Sequence, residues 1–321
     1  MLKIVIRHAD GTFATHTEHT AFHELLPAAG SILWLDLVSP EQDELAILQQ
    51  TFGFHPLAVE DAVRKHQRPK IDVYPNHYFL VVYAVRYPEN AGRIHTQEVD
   101  LFIGQNYVVT VHHDPMPEIE ESIARWKSNV DTLGSDVSAL LYSLMDSIVD
   151  EYFPVIDKIA DRIEDLEEKI FERFDRSAME QIFELKKDLL WLRRVVTPER
   201  DVFNVLLRRD PPILQPGSII YFQDVYDHIV RVTDSIDTYR DLLSSALDAY
   251  LSVVSNNLNE VMKRLTIFST IFLPLSFIVG FFGQNFTQLP ISDNNWYIFM
   301  YALLVAVPVV MLLWFRRSQW L

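Results

Sequence analysis

Two stretches of this chain carry no charge and are long enough to cross a membrane. Leu265–Phe282 and Trp296–Phe315 are 18 and 20 residues long. As helices each would span a hydrocarbon core of about 30 Å. The 13 residues between them hold a single charge, Asp293. Lys263 and Arg264 flank the first run, and Arg316 and Arg317 flank the second. An excess of cations at those ends predicts that both termini face the cytoplasm and that residues 283–295 face outward. Trp296, Tyr297, Trp314 and Trp320 suit the membrane interfaces. The sequence therefore predicts a two-span protein of the inner (plasma) membrane, with lipid as one partner.

Charge falls almost wholly outside these runs. Beyond Arg264 stand one acidic and two basic residues, so the preceding chain carries −17 of a net −16. Such a surface repels nucleic acid and anionic lipid and attracts cations. There is no cysteine among the 321 residues, which excludes disulfides and thiolate metal sites. The start, "MLKIVIRHADG", lacks a signal-peptide pattern. No Gly-rich nucleotide loop is seen, so no nucleotide is expected and ATP-driven pumping is not predicted.

The two spans differ in character. The second is apolar throughout. In the first, Asn259, Met262, Thr266, Ser269, Leu273, Ser276, Gly280 and Gly283 follow alternating steps of three and four. A helical stripe of that kind serves either close helix packing or pore lining. Upstream, Phe222, Val225, Ile229, Val232, Ile236, Tyr239, Leu243, Ala246, Tyr250 and Val253 keep the same spacing. Neither Gly nor Pro intervenes between Ser218 and Leu273. One helix is predicted from Ser218 to about Gly283, roughly 100 Å long. The upstream stripe is read as running in one phase through Asn257 toward the membrane. A helix of that length calls for partners, so self-association is expected. It would set the first span at an axis, with its polar stripe lining a pore.

The first 130 or so residues read as mixed α/β. "LKIVIR", "YFLVVYAVRY", "QEVDLFIG" and "NYVVTVHH" are predicted strands. "SPEQDELAILQQTF" opens with a capping Ser and predicts a helix, and "HPLAVEDAVRKHQRPK" predicts a short one stopped before Pro69. From Ser138 the period is helical, with a break near Asp175 that makes a hairpin. Its tip is acidic, with Glu164, Asp165, Glu167 and Glu168. His16, Glu18, His19 and His23 have a spacing that could hold a transition metal or merely form an exposed face.

"NEVMKRLTIFSTIFLPLSFIVGFFGQNF" closely resembles the signature of the CorA family of divalent-cation channels, whose first span ends in Gly-Met-Asn or, more generally, Gly-x-Asn. "HPLAVEDAVRKHQRPKIDVY", "LLYSLMDSIVDEYF" and "FQDVYDHIVRVTDSIDTYRDLLSSALDAYLSVVSN" resemble further family segments, collinear over most of the chain. The resemblance implies a homopentamer. Each subunit would have a cytoplasmic α/β funnel domain, a long stalk helix continuing into the pore helix, and an outer second helix. It implies a filter at Gly283, Gln284 and Asn285, with Asn285 as the ring that meets the hydrated ion. Met262, Leu265 and Leu273 would form an apolar constriction, with Asn259 at its cytoplasmic end and Ser276 and Gly280 farther out. It also implies regulatory Mg2+ at intersubunit carboxylates, Asp61 and Asp224, with Glu60 and Asp146 as neighbours.

With that resemblance the predicted divisions are 1–135 for the α/β domain, 136–217 for the helical hairpin and loop, and 218–264 for the stalk. Residues 265–286 make the pore helix and filter, 287–295 the outer loop, 296–315 the second span and 316–321 the tail. Mg2+ is the expected cargo and regulator, with Co2+ and Ni2+ as possible cargo, and no organic cofactor or enzymatic activity is expected. Two departures bear on ion identity. Gln284 replaces the usual Met, and the tail "RRSQWL" has fewer cations than is common in the family. A zinc transporter on the same scaffold, with or without proton coupling, and a membrane-anchored coiled-coil receptor or scaffold are the competing readings.

Overall fold

The structure, a computed structural model, describes residues 2–17, 30–88, 93–128, 134, 136–173, 175, 177–208, 214–284, 294–318 and 320. It comprises two compact units, Met1–Ala246 and Leu247–Leu321.

The first unit is organised on a seven-stranded sheet. In chain order the strands are β1 (Leu2–Arg7), β2 (Phe13–His16), β3 (Ile32–Val38), β4 (Lys70–Val73), β5 (Tyr78–Arg86), β6 (His95–Ile103) and β7 (Tyr107–His112). In space they run β2-β1-β3-β7-β6-β5-β4. Every pair is antiparallel except β3 with β7, where Leu35 faces Val109 in parallel register. The predicted strands appear as β1, β5, β6 and β7, and the structure adds β2, β3 and β4. The run "ILWLDLV" of β3 is buried from Ile32 to Leu37. A strand covered on both faces has no polar alternation, which is why its period gave no signal.

Both faces of the sheet are covered. Phe52, at the end of α1 (Gln42–Phe52), and the following Phe54 stack with parallel rings. Phe54 in turn stacks on Phe102 at 4.2 Å between centroids. On the opposite face, Trp126 of α3 (Pro117–Ser128) meets Trp34 edge-on at 6.5 Å. Helix α1 starts later than its sequence implies. Its N-cap is Glu41, whose backbone N–H donates to the Glu44 carboxylate at 2.9 Å. Ser39 instead turns with φ of 48° and donates its hydroxyl to the carbonyl of His113. The helix closes on Gly53 at φ of 66°, a conformation open to glycine. Helix α2 (Pro56–Val63) is capped by His55 and ends six residues before Pro69.

The helix predicted from Ser138 is two helices. These are α4 (Val137–Asp150), capped by Asp136, and α5 (Tyr152–Glu168). Pro154 explains the split: it has no N–H to give, and its ring clashes with the carbonyl four residues back, at Asp150. A π-turn, Lys169–Arg173, leads toward α6 (Ser177–Arg208). The long helix is α7 (Ile219–Phe282), 64 residues without interruption. Its upstream stripe is spoken for within the subunit. Phe222, Val225, Ile229, Val232, Ile236 and Leu243 are buried at 1% exposure or less. Tyr142 of α4 meets Phe222 edge-on, Phe153 of α5 meets His228, and Arg193 of α6 pairs with Asp237. That part of the stripe is intrasubunit core.

A fully buried carboxylate ties α5 and α6 to β5. Glu199 accepts the backbone N–H of Tyr83 at 2.6 Å and lies 2.6 Å from the Tyr152 hydroxyl. That hydroxyl also donates to the carbonyl of Tyr83, so its one proton meets two acceptors. A protonated Glu199 resolves the conflict by donating to Tyr152. Burial favours the same form and pushes the Glu199 pKa from 4.5 up to about 8, against the two hydrogen bonds that hold it down. The folded state then binds a proton that the unfolded chain has released between those values. Its contribution is complete below pH 4.5 and declines up to about pH 8. Gln reproduces the protonated form. Glu199→Gln should remove this pH slope and be more stable than wild type above pH 8 by roughly 2–4 kcal/mol. Thermal unfolding of both proteins from pH 5 to pH 9 reads this directly, and parallel profiles would refute it.

Candidate functional site

In the membrane-competent half, the faces of α7 separate cleanly. From Leu265 on, the residues that are partly covered are Ile267, Thr270, Ile271, Pro274, Leu275, Ile278 and Phe282, all on one side of the helix. The second apolar helix, α8 (Asn294–Arg317), has a matching partly covered face of Met300, Leu303, Leu304, Val307, Pro308, Met311 and buried Phe315. Phe282 meets Trp296 at 6.3 Å between ring centroids. Asn259, Met262, Thr266, Ser269, Leu273, Ser276, Gly280 and Gly283 are all exposed. Leu273 is 73% exposed, and Leu265, beside this stripe, is 58%. The stripe is therefore not the face that α8 covers.

Nor does it continue the buried upstream stripe. From Val253 to Asn259 is six residues, which at about 100° per residue turns the face by about 120°. The upstream phase runs instead through Asn257 to the partly covered Ile267, Ile271, Pro274 and Ile278. Steps of three and four restart on a different side of the cylinder. Both helices are long and apolar enough to cross a membrane and contain one proline each, Pro274 and Pro308. The Thr266 hydroxyl satisfies itself on the carbonyl of Met262 at 2.8 Å. At the end of α7, the N–H of Gly283 still bonds Val279 and that of Gln284 reaches Phe281. A methyl group on Gly283 would lie 3.1 Å from the Val279 carbonyl, so glycine eases this last turn. Asn285 lies outside the described residues.

The predicted regulatory carboxylates fall into two groups within the first unit. In one, Asp61 of α2 takes the ammonium of Lys70 at 2.6 Å, and Asp72 takes it at 2.7 Å. Burial works against the charge on Lys70, but the two carboxylates outweigh it and its pKa rises above the ordinary value. Glu60, one residue away, is exposed and paired with Arg64. In the other group, Asp146 of α4 is bonded to Arg125 of α3. Arg125 also reaches Asp150 at 3.5 Å. His228 of α7 lies 3.9 Å from both Asp150 and Asp224. Ligand atoms of Asp146, Asp150 and His228 all lie within 4.8 Å of one another. Burial raises the Asp146 pKa, with Asp150 adding to the rise and Arg125 opposing it.

Asp224 and Asp146 thus share one neighbourhood through His228, whereas Asp61 is not brought to them within the chain. Asp150 and His228 were not singled out in the sequence, though their spacing carried a signal. Asp146 with Asp150 and Asp224 with His228 are two i, i+4 pairs, each on one helix face. Lys70, Asp72 and Arg125 gave none. Of the histidine cluster, His16 sits exposed on β2, while Glu18, His19 and His23 lie outside the described residues.

Comparison with known proteins decides the family. The family described as CorA-like Mg2+ transporter protein matches residues 29–317. This chain belongs to that family. It is 36% identical over 293 residues to the cobalt/magnesium transport protein CorA of Thermotoga maritima, covering 90% of this chain and 83% of that protein. It is 38% identical over 290 residues to the putative metal ion transporter YfjQ of Bacillus subtilis, covering 89% of each. The CorA magnesium transporter structure from Methanocaldococcus jannaschii superposes with a TM-score of 0.84 at 24% identity, covering 99% and 98% of the two chains. The α/β domain, very long helix and second apolar helix are therefore the CorA fold. The CorA-like family is one of membrane transporters, not enzymes.

In this CorA-like chain the carboxylate groups come with their own cations, which makes one of them testable at once. The Asp146 side chain is only 10% exposed. Removing the guanidinium leaves it and Asp150 without their counter-charge. Arg125→Gln should cost about 3 kcal/mol, the usual scale for breaking a buried pair from one side. Excess Mg2+ should restore part of the loss by replacing the lost charge. Thermal midpoints with and without Mg2+ test both halves, and a midpoint equal to wild type would show that the pair contributes nothing.

Proposed function

We propose that this chain forms a homopentameric, passive channel for hydrated divalent cations, with Mg2+ as its main cargo and Co2+ accepted. The observation that carries the reading is the exposed polar stripe on α7. A small and hydroxyl-bearing face is left uncovered by the chain's own second span, on a membrane helix of a cation-transporter family. Around a five-fold axis that face lines a pore, with α8 toward lipid. The membrane-anchored scaffold reading falls with the family assignment.

The chemistry fits Mg2+ at both ends. Mg2+ sheds water reluctantly and is bound through oxygen. Amide oxygens of Asn285 and Gln284 can accept hydrogen bonds from its water shell without stripping it. Met262, Leu265 and Leu273 form an apolar throat that shuts by excluding water. Asn259 marks its cytoplasmic mouth, while Ser276 and Gly280 line the wider outer part. The carboxylates Asp61, Asp224, Glu60 and Asp146 are hard oxygen donors, which suit Mg2+ better than Zn2+. Both termini lie in the cytoplasm, as the flanking cations dictate.

Regulation follows from the same ion. Carboxylates brought together at a subunit interface repel each other, and a bound Mg2+ bridges them and favours the closed ring. As cytoplasmic Mg2+ falls, the bridge empties and the ring loosens. Asn285→Ala should abolish Mg2+ uptake into liposomes while leaving the oligomer intact by size-exclusion chromatography; undiminished flux through an assembled variant would refute the filter. Asp61→Asn with Asp224→Asn should lose the Mg2+-dependent protection from limited proteolysis that wild type shows. Equal protection of both proteins would place regulation elsewhere.

A further inference from the structure

Ser269 stands midway between Leu265 and Leu273 on the bare face of α7. The three residues are spaced by four, so each step climbs about 6 Å and turns about 40°. Ser269 is thus central to the two leucines both along the helix and around it. Leu265 and Leu273 are 58% and 73% exposed, and Ser269 is exposed between them. Ser269 also faces away from the side that is partly covered. Ile267, Ile271 and Ile278, on that side, lie about 160°, 160° and 180° around the helix from it.

The Ser269 hydroxyl is uncommitted. Thr266, three residues earlier, donates to the Met262 carbonyl at 2.8 Å. Ser244, Ser245 and Ser252 of the same helix likewise donate to the carbonyl four residues back. Among the described residues Ser269 has no hydrogen-bond partner. A hydroxyl offers one donor and two lone pairs, and here all three are open to whatever lies beside the bare face. Hydrocarbon would leave them unsatisfied at a cost, whereas water satisfies them.

We propose that Ser269 divides the apolar throat, as a ring of hydroxyls that holds water between the Leu265 and Leu273 rings. The proposal deepens the pore reading and rests on it. Without the serine, the throat is one apolar column about 12 Å long. With it, the column becomes two short dry barriers on either side of a wet step. A serine side chain is also shorter than a leucine, so the throat widens at that level. Mg2+ keeps its water shell, and hydroxyls midway can bond that shell without replacing it. The throat still shuts by excluding water at each leucine ring, but a crossing ion meets hydrogen-bond partners every 6 Å or so rather than every 12 Å.

The test reads Mg2+ influx into liposomes holding the full chain, on variants that elute as the oligomer by size-exclusion chromatography. Ser269→Ala removes only the hydroxyl. It should lower influx roughly tenfold, the effect of losing a net hydrogen bond or two at the top of the barrier. Thr and Val side chains share one shape and differ in the hydroxyl, so Ser269→Thr should carry more Mg2+ than Ser269→Val. The chain has no cysteine, so Ser269→Cys and Asn259→Cys each bring a single thiol. A cationic methanethiosulfonate reagent should stop the influx through both. Undiminished influx through Ser269→Ala, or equal influx through Ser269→Thr and Ser269→Val, overturns the proposal; block at Asn259→Cys then leaves the pore itself standing. Influx that the reagent leaves untouched in both cysteine variants removes the pore reading and the proposal with it.

Discussion

A backbone that satisfies its own hydrogen bonds is the constraint on which this molecule depends. In hydrocarbon an unpaired N–H or C=O has no water to turn to, so only a continuous helix or a closed barrel can stand there. Helix α7 meets this with 64 unbroken residues and carries the same solution out of the apolar region. Its backbone is uniform, but its side chains are not. Upstream, one face is buried against α4, α5 and α6. Farther on, one face is partly covered beside α8, and another, rotated from the buried upstream one, stays bare. A helix can change its partners along its length simply by changing which residues follow one another at steps of three and four.

The acidic character of the chain is managed locally rather than by averaging over the surface. Lys70 sits between Asp61 and Asp72, Arg125 holds Asp146 and reaches Asp150, and Arg86 is bonded to the buried Glu118. Each pair sits where at least one partner is shielded from water, so removing one partner leaves a charge that is costly to keep.

The remaining buried polar groups serve cohesion. Glu199 joins Tyr83 of the sheet to Tyr152 of α5 from the middle of α6, within hydrogen-bonding distance of both. Asp36, Thr110, His112 and Trp34 form a comparable cluster across β3 and β7, with Thr110 bonding Asp36 at 2.5 Å and Trp34 bonding Thr110 at 3.1 Å. Polar groups sealed in this way specify one arrangement of neighbouring elements, because any other leaves them unsatisfied.

Much of this architecture is legible in order and spacing alone. The two spans follow from uninterrupted apolar length, and the long helix follows from a spacing of three and four with no glycine or proline before Pro274. The family follows from "NEVMKRLTIFSTIFLPLSFIVGFFGQNF" together with the collinear segments before it. These are properties of neighbours in sequence, which hydrophobic length and helical period report directly. Which face of α7 is bare, and that the upstream stripe is core, could not be read there. An apolar residue at helical spacing looks the same whether its partner is its own α4 or another subunit. The buried strand β3 was silent for a related reason, since a strand covered on both faces loses its alternation. The company of each carboxylate was equally hidden. Asp61 and Lys70 are nine residues apart, and Asp146 and Arg125 are 21 apart. Only the crossing of helix and sheet brings each cation to its carboxylate, because ion pairs are made by distance in space and not by distance along the chain.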